Sequence, residues 1–476
     1  MSKAKLFIEN FFVYGLGGII SKLVPLLMLP IVTRLMPGTE YFGISDLSNT
    51  IVQFASAVAV IGMYDAMYRM FFDTDEMEFK KNVCSTTLIF TMAMSIAVCL
   101  LMLLGKNLIA KFFFGDIKYS FLVYISAATT LVSATNTIVA APTRMQNKRK
   151  VFLITNTVSP ILSYTVSIPL ILLGHYLIAL PVAALISGAS MELIFWILNH
   201  NWFEVKRFHK QLLKPLLALA IPLFPNFLIY WVFNSCDKIM ITNLISVGAA
   251  GVYSVGAKLG HASQLIYTAF GGGWQFFAFS TMKEKDQVKS NSLIFEYLGV
   301  ISFIATAFVC AISYLFYKVA FASQYLSGFV IAPYLFLAPL LQMLFQVAAN
   351  QFLVIKKTWP NMFILLSGAV VNVLLNFLLI PTIGIEGASI ATLIGYAVSD
   401  VVCMIVLCKM KLMTISYRLL LSTVLMIGYF LIWRFLTIQN VLISVLLACS
   451  MTALLSIMYK KELKVIFSKL KRKKNL

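Results

Sequence analysis

Apolar residues run along this chain in long blocks separated by short polar turns. A helix that crosses about 30 Å of hydrocarbon needs about 20 apolar residues. Fourteen blocks of that kind are centred near residues 23, 53, 93, 130, 162, 187, 224, 256, 304, 342, 371, 397, 426 and 449. The pattern predicts an all-α polytopic membrane protein with about 14 transmembrane helices. The first stretch, MSKAKLFIENFF, sets two lysines before an apolar run too long for a signal-peptide core and lacks a small-residue cleavage site, so it is expected to stay as the first membrane helix. No connecting loop exceeds roughly twenty residues, which leaves no room for a soluble catalytic or nucleotide-binding domain. None of GxxxxGKS/T, HExxH or GxSxG occurs. The chain is therefore expected not to be an enzyme, and no catalytic residue, metal site or cofactor is assigned.

Composition agrees with the pattern. Of the 476 residues, 60% are apolar and 12% charged, against about 45–50% and about 25% in ordinary globular chains. Mean hydropathy is +0.90. Lysine and arginine total 38 against 18 acids, for a net charge of +20. With the N-terminus placed inside, 29 of these basic residues fall in cytoplasmic segments and 7 on the opposite side, while Lys22 and Lys258 fall within helices. By the positive-inside rule this asymmetry puts both termini in the cytoplasm, and the excess charge needs no nucleic acid to explain it. The tail KKELKVIFSKLKRKKNL sets Leu463, Ile466, Phe467 and Leu470 at helical spacing beneath eight basic residues, as an anchor on the anionic inner leaflet would. Seven cysteines lie mostly inside apolar runs with no CxxC pair, and read as small hydrophobes.

The chain also repeats itself. TRLMPGTEYFGIS at 33–45 falls on TNLISVGAAGVYS at 242–254 with one residue of slack, and LIALPVAALISGASMEL at 177–193 falls on IEGASIATLIGYAVSDV at 385–401 without a gap. The repeat divides the chain into an N-terminal lobe over 1–205, a C-terminal lobe over 206–412, an extra helix pair over 413–459 and a basic cytoplasmic tail over 460–476. Two six-helix halves are a transporter architecture, in which one half rocks against the other around a site near the midplane.

This organisation, with SKLVPLLMLPIVTRLMPGTEYFG in the first span and DKIMITNLISVGAAGVYSVGAKL across the seventh and eighth, resembles the polysaccharide transporter branch of the MOP superfamily, the O-antigen and capsule repeat-unit flippases. The resemblance covers essentially the whole chain, and its loose motifs speak for the family and not for a substrate. It implies a fold like that of the MATE multidrug exporters, two lobes in an inverted V. It also implies a cargo of oligosaccharide linked through pyrophosphate to undecaprenol, flipped across the cytoplasmic membrane of a bacterium by alternating access. Membrane lipids, protons or sodium ions, and polysaccharide polymerase or export proteins are the further candidate partners. A multidrug or metabolite exporter of the same fold is the alternative, and a membrane glycosyltransferase or polymerase a remote one. MATE cation exporters carry an acid in the first helix, whereas here that helix offers Lys22, which suits an anionic cargo.

Lys22 and Lys258 lie near the middle of the first and eighth predicted helices. A lysine at the bilayer centre costs roughly 2.5–3.5 kcal/mol on insertion scales, so both are expected to line the shared cavity and to meet pyrophosphate or acidic sugars. Ser21-Lys22 also stands where the related lipid II flippases carry a serine and a cavity arginine. A structural pairing or snorkelling is the competing reading. Glu192 and Asp400 are 208 residues apart, one repeat, and both lie about two turns from the cytoplasmic ends of their helices. They are ion-coupling candidates, with packing or pairing to Arg149 or Lys357 as the alternative. His261, one turn beyond Lys258, is a candidate sugar contact or a satisfied core histidine. Gln342, Gln346 and Asn350 at i, i+4 and i+8, and Asn372 and Asn376 at i, i+4, offer amides to sugar hydroxyls or act as glue between helices. Pro25, Pro30, Pro222 and Pro225 are expected to bend the lobe-leading helices, and Gly271, Gly272 and Gly273 to end the eighth. Asp46, Asp65, Arg69 and the pair Asp237-Lys238 are expected to form interfacial or gate salt bridges.

Overall fold

The computed structural model describes residues 21–281, 284, 286–355, 357 and 359–464, without the side chains of 272, 273, 275–277, 279 and 280. The first half of the first predicted helix, and Ile466, Phe467 and Leu470 of the tail, lie outside the described residues. Hydrocarbon offers no partner to a backbone N–H or C=O, so a chain with these apolar blocks satisfies its backbone within helices. Among the described residues there are helices and no strands. They are α1 over 21–35, α2 (Thr39–Val60), α3 (Met63–Phe71), α4 (Met77–Leu104), α5 (Lys106–Phe114), α6 (Phe121–Val139), α7 (Ala141–Met145), α8 (Arg149–Leu172), α9 (Tyr176–Asn199) and α10 (Lys210–Ala220). There follow α11 (Phe224–Leu244), α12 (Val247–Gly260), α13 (Gln264–Ser280), α14 (Gln287–Ala320), α15 (Ile331–Val354), α16 (Trp359–Ile383), α17 (Ile385–Lys409), α18 (Tyr417–Ile432) and α19 (Val441–Met458).

Every expected centre falls in helical structure. Among the described residues eleven helices are long and apolar enough to cross a membrane, or twelve if α2 and α3, bent by 47° at their junction, count as one span. The other two expected centres lie in α1 and in the α12–α13 pair, whose members run 14 and 17 residues on either side of a 3-10 turn at His261–Ser263. The break in this eighth element therefore falls at His261. Gly271, Gly272 and Gly273 do not end the helix but lie inside α13, because a membrane helix keeps its backbone bonds through a glycine run. Pro222 and Pro225 stand where α10 passes through a 3-10 turn into α11.

The described chain forms two compact units, residues up to Val255 with Asn372–Ala388, and Gly256–Val371 with the residues from Ser389 onward. In the first unit α6 packs against α2, α4 and α9. One apolar cluster joins Ile44, Leu47, Ile51, Val98, Phe114 and Leu122. A second, built on Met63, Met67, Phe71, Val83, Leu216 and Ala220, ties α3 to α4 and α10.

The first unit also brings the repeat into contact with itself. Gly43 of α2 and Gly251 of α12, 208 residues apart, approach so closely that a Cβ on Gly43 would lie 2.4 Å from the Val247 oxygen and one on Gly251 would lie 1.9 Å from the Thr39 oxygen. Thr39 and Val247 each precede their glycine by four residues, so the contact is reciprocal, as pseudo-twofold related segments produce. Beside it Lys238 of α11 pairs with Asp46 of α2 at 2.6 Å, and Tyr253 donates to the Asp237 carboxylate. Asp46 and Lys238, both expected in salt bridges, thus pair with each other, and Asp46 is buried.

In the second unit α15 is buried along nearly its whole length, against α14 on one side and α13 on another. Gly256 and Gly260 set α12 against the start of α15, where a Cβ would lie 3.1 Å from the Gly328 oxygen and 2.7 Å from Leu335 Cβ respectively. This is the small-xxx-small spacing that lets membrane helices approach. The trailing helices α18 and α19 pack on α14. Arg418 at the start of α18 pairs with Glu462 at 2.7 Å and stands 4.7 Å over the Tyr459 ring, whose hydroxyl donates to buried Glu296 at 2.7 Å. The Arg418 hydrogen bond holds the Glu462 carboxyl below its ordinary value.

Removing one partner of a buried ion pair strands the other charge and costs about 3–5 kcal/mol. Lys238→Ala is therefore expected to lower the thermal midpoint of the purified protein, whereas Asp46→Asn combined with Lys238→Met recovers most of the loss. Single and double variants that all melt with the wild type would show that the pair contributes nothing.

Candidate functional site

The face on which Lys22 lies follows from the periodicity of α1. Leu23, Leu27 and Ile31 form an exposed apolar stripe at i, i+4 and i+8, the face suited to lipid. Leu29, Val32, Thr33 and Met36 are buried on the opposite side. Lys22 precedes Leu29 by seven residues, close to two helical turns, and so belongs to the buried face. Its own side chain is exposed. Lys22 is thus an accessible cation on the side of α1 that faces protein, as the cost of a lipid-facing lysine requires.

Lys258 is placed by the glycines around it. Gly256 and Gly260 face α15, and a residue two positions from each is turned about 200° away. Residues 250–257 are all buried, while Lys258 is exposed. Its exposure therefore does not belong to a lipid-facing stripe. His261 opens the 3-10 turn that follows and is half-buried.

The amides divide into two environments. Gln342, Gln346 and Asn350 run along α15 in the second unit, with Gln342 and Asn350 buried and Gln346 packed over Gly271 of α13. Three neighbouring amides escaped notice in the sequence: Gln351 accepts from Gln287 of α14 at 2.9 Å, and Asn291 lies one turn further along α14. Gln287 and Asn291 have the same i, i+4 spacing as the residues singled out, and that spacing was the available signal. All three are buried. Asn291, Gln346, Asn350 and Gln351 each keep at least one side-chain polar atom without a hydrogen bond among the described residues. Asn372 and Asn376 of α16 belong instead to the first unit, fully buried, with Asn376 donating to Asn372 at 3.4 Å.

The two repeat-related acids differ in their surroundings. Glu192 of α9 is half-buried near Thr135 and Trp196. Asp400 of α17 is buried and neither carboxyl oxygen has a hydrogen-bond partner among the described residues. Neither acid makes an ion pair with a described basic residue, so the pairing with Arg149 or Lys357 is not found. No group of three or more metal-ligating side chains occurs among the described residues.

Residues 31–329, more than half of the chain, match the sequence profile of a family described as "Polysaccharide biosynthesis protein". The chain belongs to this family. No curated protein matches it. Among solved structures it is similar to the lipid II flippase MurJ in an inward closed conformation, at a TM-score of 0.68 and 15% identity over 95% of this chain and 100% of that one. It is also similar to a MATE family multidrug transporter of the MOP superfamily. The inward-facing form of that family matches at a TM-score of 0.62 and 14% identity, over 83% of this chain and 94% of that one. An outward-facing form matches at 0.58 and 16%, over 85% and 95%. At these identities the likeness is one of fold, and this family member has the helical membrane fold of the MOP transporters.

Proposed function

We propose that this member of the polysaccharide biosynthesis family flips undecaprenyl-pyrophosphate-linked oligosaccharide repeat units across the cytoplasmic membrane of a bacterium by alternating access. In this reading residues 1–205 and 206–412 are the moving lobes, the helix pair 413–459 is attached to them, and the tail 460–476 rests on the inner leaflet with both termini cytoplasmic. The observation that carries the reading is the placement of Lys22 and Lys258, each an exposed ammonium on a helix face directed away from lipid. Two such cations suit a pyrophosphate, which needs charge-assisted donors once it leaves water. A lysine on a flexible stem follows a moving anion better than a rigid fork does. The polar atoms of Gln346, Asn350 and His261 supply partners for sugar hydroxyls. The cargo moves beside membrane lipids, and a polymerase or export protein receives it.

Charge is the property that matters in this mechanism. Complementation of surface polysaccharide in a flippase-null strain should survive Lys22→Arg and Lys258→Arg. Alanine at either position loses contacts of about 1.5–3 kcal/mol per charged hydrogen bond, on the order of a tenfold to hundredfold fall in cargo affinity. Glutamate should fail outright. If Lys22→Glu and Lys258→Glu accumulate in the membrane and still restore polysaccharide, the cationic mechanism is wrong; if they vanish from the membrane, the lysines are structural.

Coupling is assigned to the acids, and Asp400 is the stronger candidate because a buried carboxyl without a partner has no packing role to explain it. Asp400→Asn should accumulate normally while the pH dependence of transport in membrane vesicles changes. An unchanged rate and an unchanged pH profile would return Asp400 to the packing of α17.

A further inference from the structure

Helix α3 carries a feature that the cavity lysines do not absorb. Its Met63, Ala66, Met67, Met70 and Phe71 are buried against α4 and α10. The opposite face presents Tyr64, Asp65, Tyr68, Arg69 and Phe72, of which all but half-buried Tyr64 are exposed. The three rings form a ladder at i, i+4 and i+8, with centroids 6.1 Å apart between Tyr64 and Tyr68 and 5.4 Å between Tyr68 and Phe72. Arg144, from the short helix α7, donates to the Tyr64 hydroxyl at 3.2 Å and lies 5.3 Å from the centre of the Phe152 ring. No carboxylate pairs with Arg144 among the described residues, and Asp65 has no partner there either. Arg69 is paired with Asp73.

The backbone holds this face in place at a cost. Ile61, a β-branched residue, adopts φ 42° and ψ 36°, and Gly62 follows at φ 80°. A Cβ at Gly62 would lie 2.6 Å from the Ala220 oxygen of α10. A β-branched side chain in the left-handed region is an outlier that persists only where the surroundings enforce it, and such outliers gather at functional sites. The bend is what lets α3 leave the line of α2 while its buried face stays packed.

We infer that the Tyr64, Tyr68 and Phe72 ladder, flanked by Asp65 and Arg144, receives the sugar head group of the cargo. The inference rests on the flippase reading and adds a sugar subsite to it. A pyranose ring has an apolar C–H face and an edge of hydroxyls. Aromatic faces take the first, and a carboxylate and a guanidinium without other ionic partners take the second. A lipid-facing aromatic belt would carry apolar neighbours on the same stripe, whereas here Asp65 and Arg69 interleave with the rings. Lys80 and Lys81 begin the next helix and Lys148, Arg149 and Lys150 follow Arg144, so charge bias puts the ladder on the cytoplasmic side, where the cargo is loaded.

The test measures binding to the full chain in nanodiscs with two probes: undecaprenyl pyrophosphate, and the same lipid carrying the native repeat unit of the cell that makes this protein. Tyr68→Ala and Phe72→Ala are expected to raise the Kd for the glycosylated lipid about two- to tenfold each and to leave the Kd for the bare lipid unchanged. Tyr68→Trp should keep the glycosylated Kd near the wild-type value. Variants that bind both lipids like the wild type, or that weaken both equally, overturn the sugar subsite while leaving the flippase reading in place. So does a wild type that holds the glycosylated lipid no more tightly than the bare one. A wild type that binds neither lipid fails the flippase reading itself, and the subsite with it.

Discussion

Hydrocarbon cannot hydrogen-bond, and the rest of this structure follows from that constraint. It forces the backbone into helices and keeps a run of three glycines inside α13 where water would let the helix stop. It also gives every polar side chain within the spans a cost that must be offset. Most meet it locally. Ser48, Thr50 and Thr130 return their hydroxyls to carbonyls four residues back, Asn376 bonds Asn372, and Lys238 bonds Asp46. Lys22 and Lys258 meet it by exposure on helix faces directed away from lipid, and buried Asp400 keeps both carboxyl oxygens without a hydrogen bond among the described residues.

The reciprocal approach of Gly43 and Gly251 joins the internal repeat to its own copy. Two glycines let the helix backbones close to distances that a single methyl would prevent, and the ion pair and the Tyr253 bond beside them close the same region with directional contacts. Packing by small residues recurs where Gly256 and Gly260 meet α15. In that second contact the small residues also decide the chemistry, because they turn Lys258 away from the packed face.

The class of fold was legible because about 20 apolar residues per span leave a strong signal, and each expected centre falls in a helix. The candidate residues were legible for the same reason, since charge in such a block stands out. What was not legible lies in geometry. Nothing in the sequence marks Ile61 as left-handed, so the bend that frees α3 was invisible, although Gly62 beside it was a visible turn residue. The Gly43 and Gly251 segments were aligned in sequence, but their contact belongs to three dimensions. Glu192 and Asp400 read as equivalents from spacing alone, and their surroundings differ. Gln351, Gln287 and Asn291 were missed although they carry the same amide chemistry as the residues chosen.

The central claim is that the polar residues left exposed or unpartnered in this membrane fold serve the passage of a lipid-linked sugar anion. Its most direct measurement is translocation in proteoliposomes, with a fluorescent undecaprenyl-pyrophosphate oligosaccharide on one leaflet and its arrival on the other read by a membrane-impermeant quencher or sugar-modifying enzyme. The account predicts protein-dependent movement of this lipid, and none of an organic cation presented in the same vesicles. Movement of the cation with no acceleration of the lipid would contradict it.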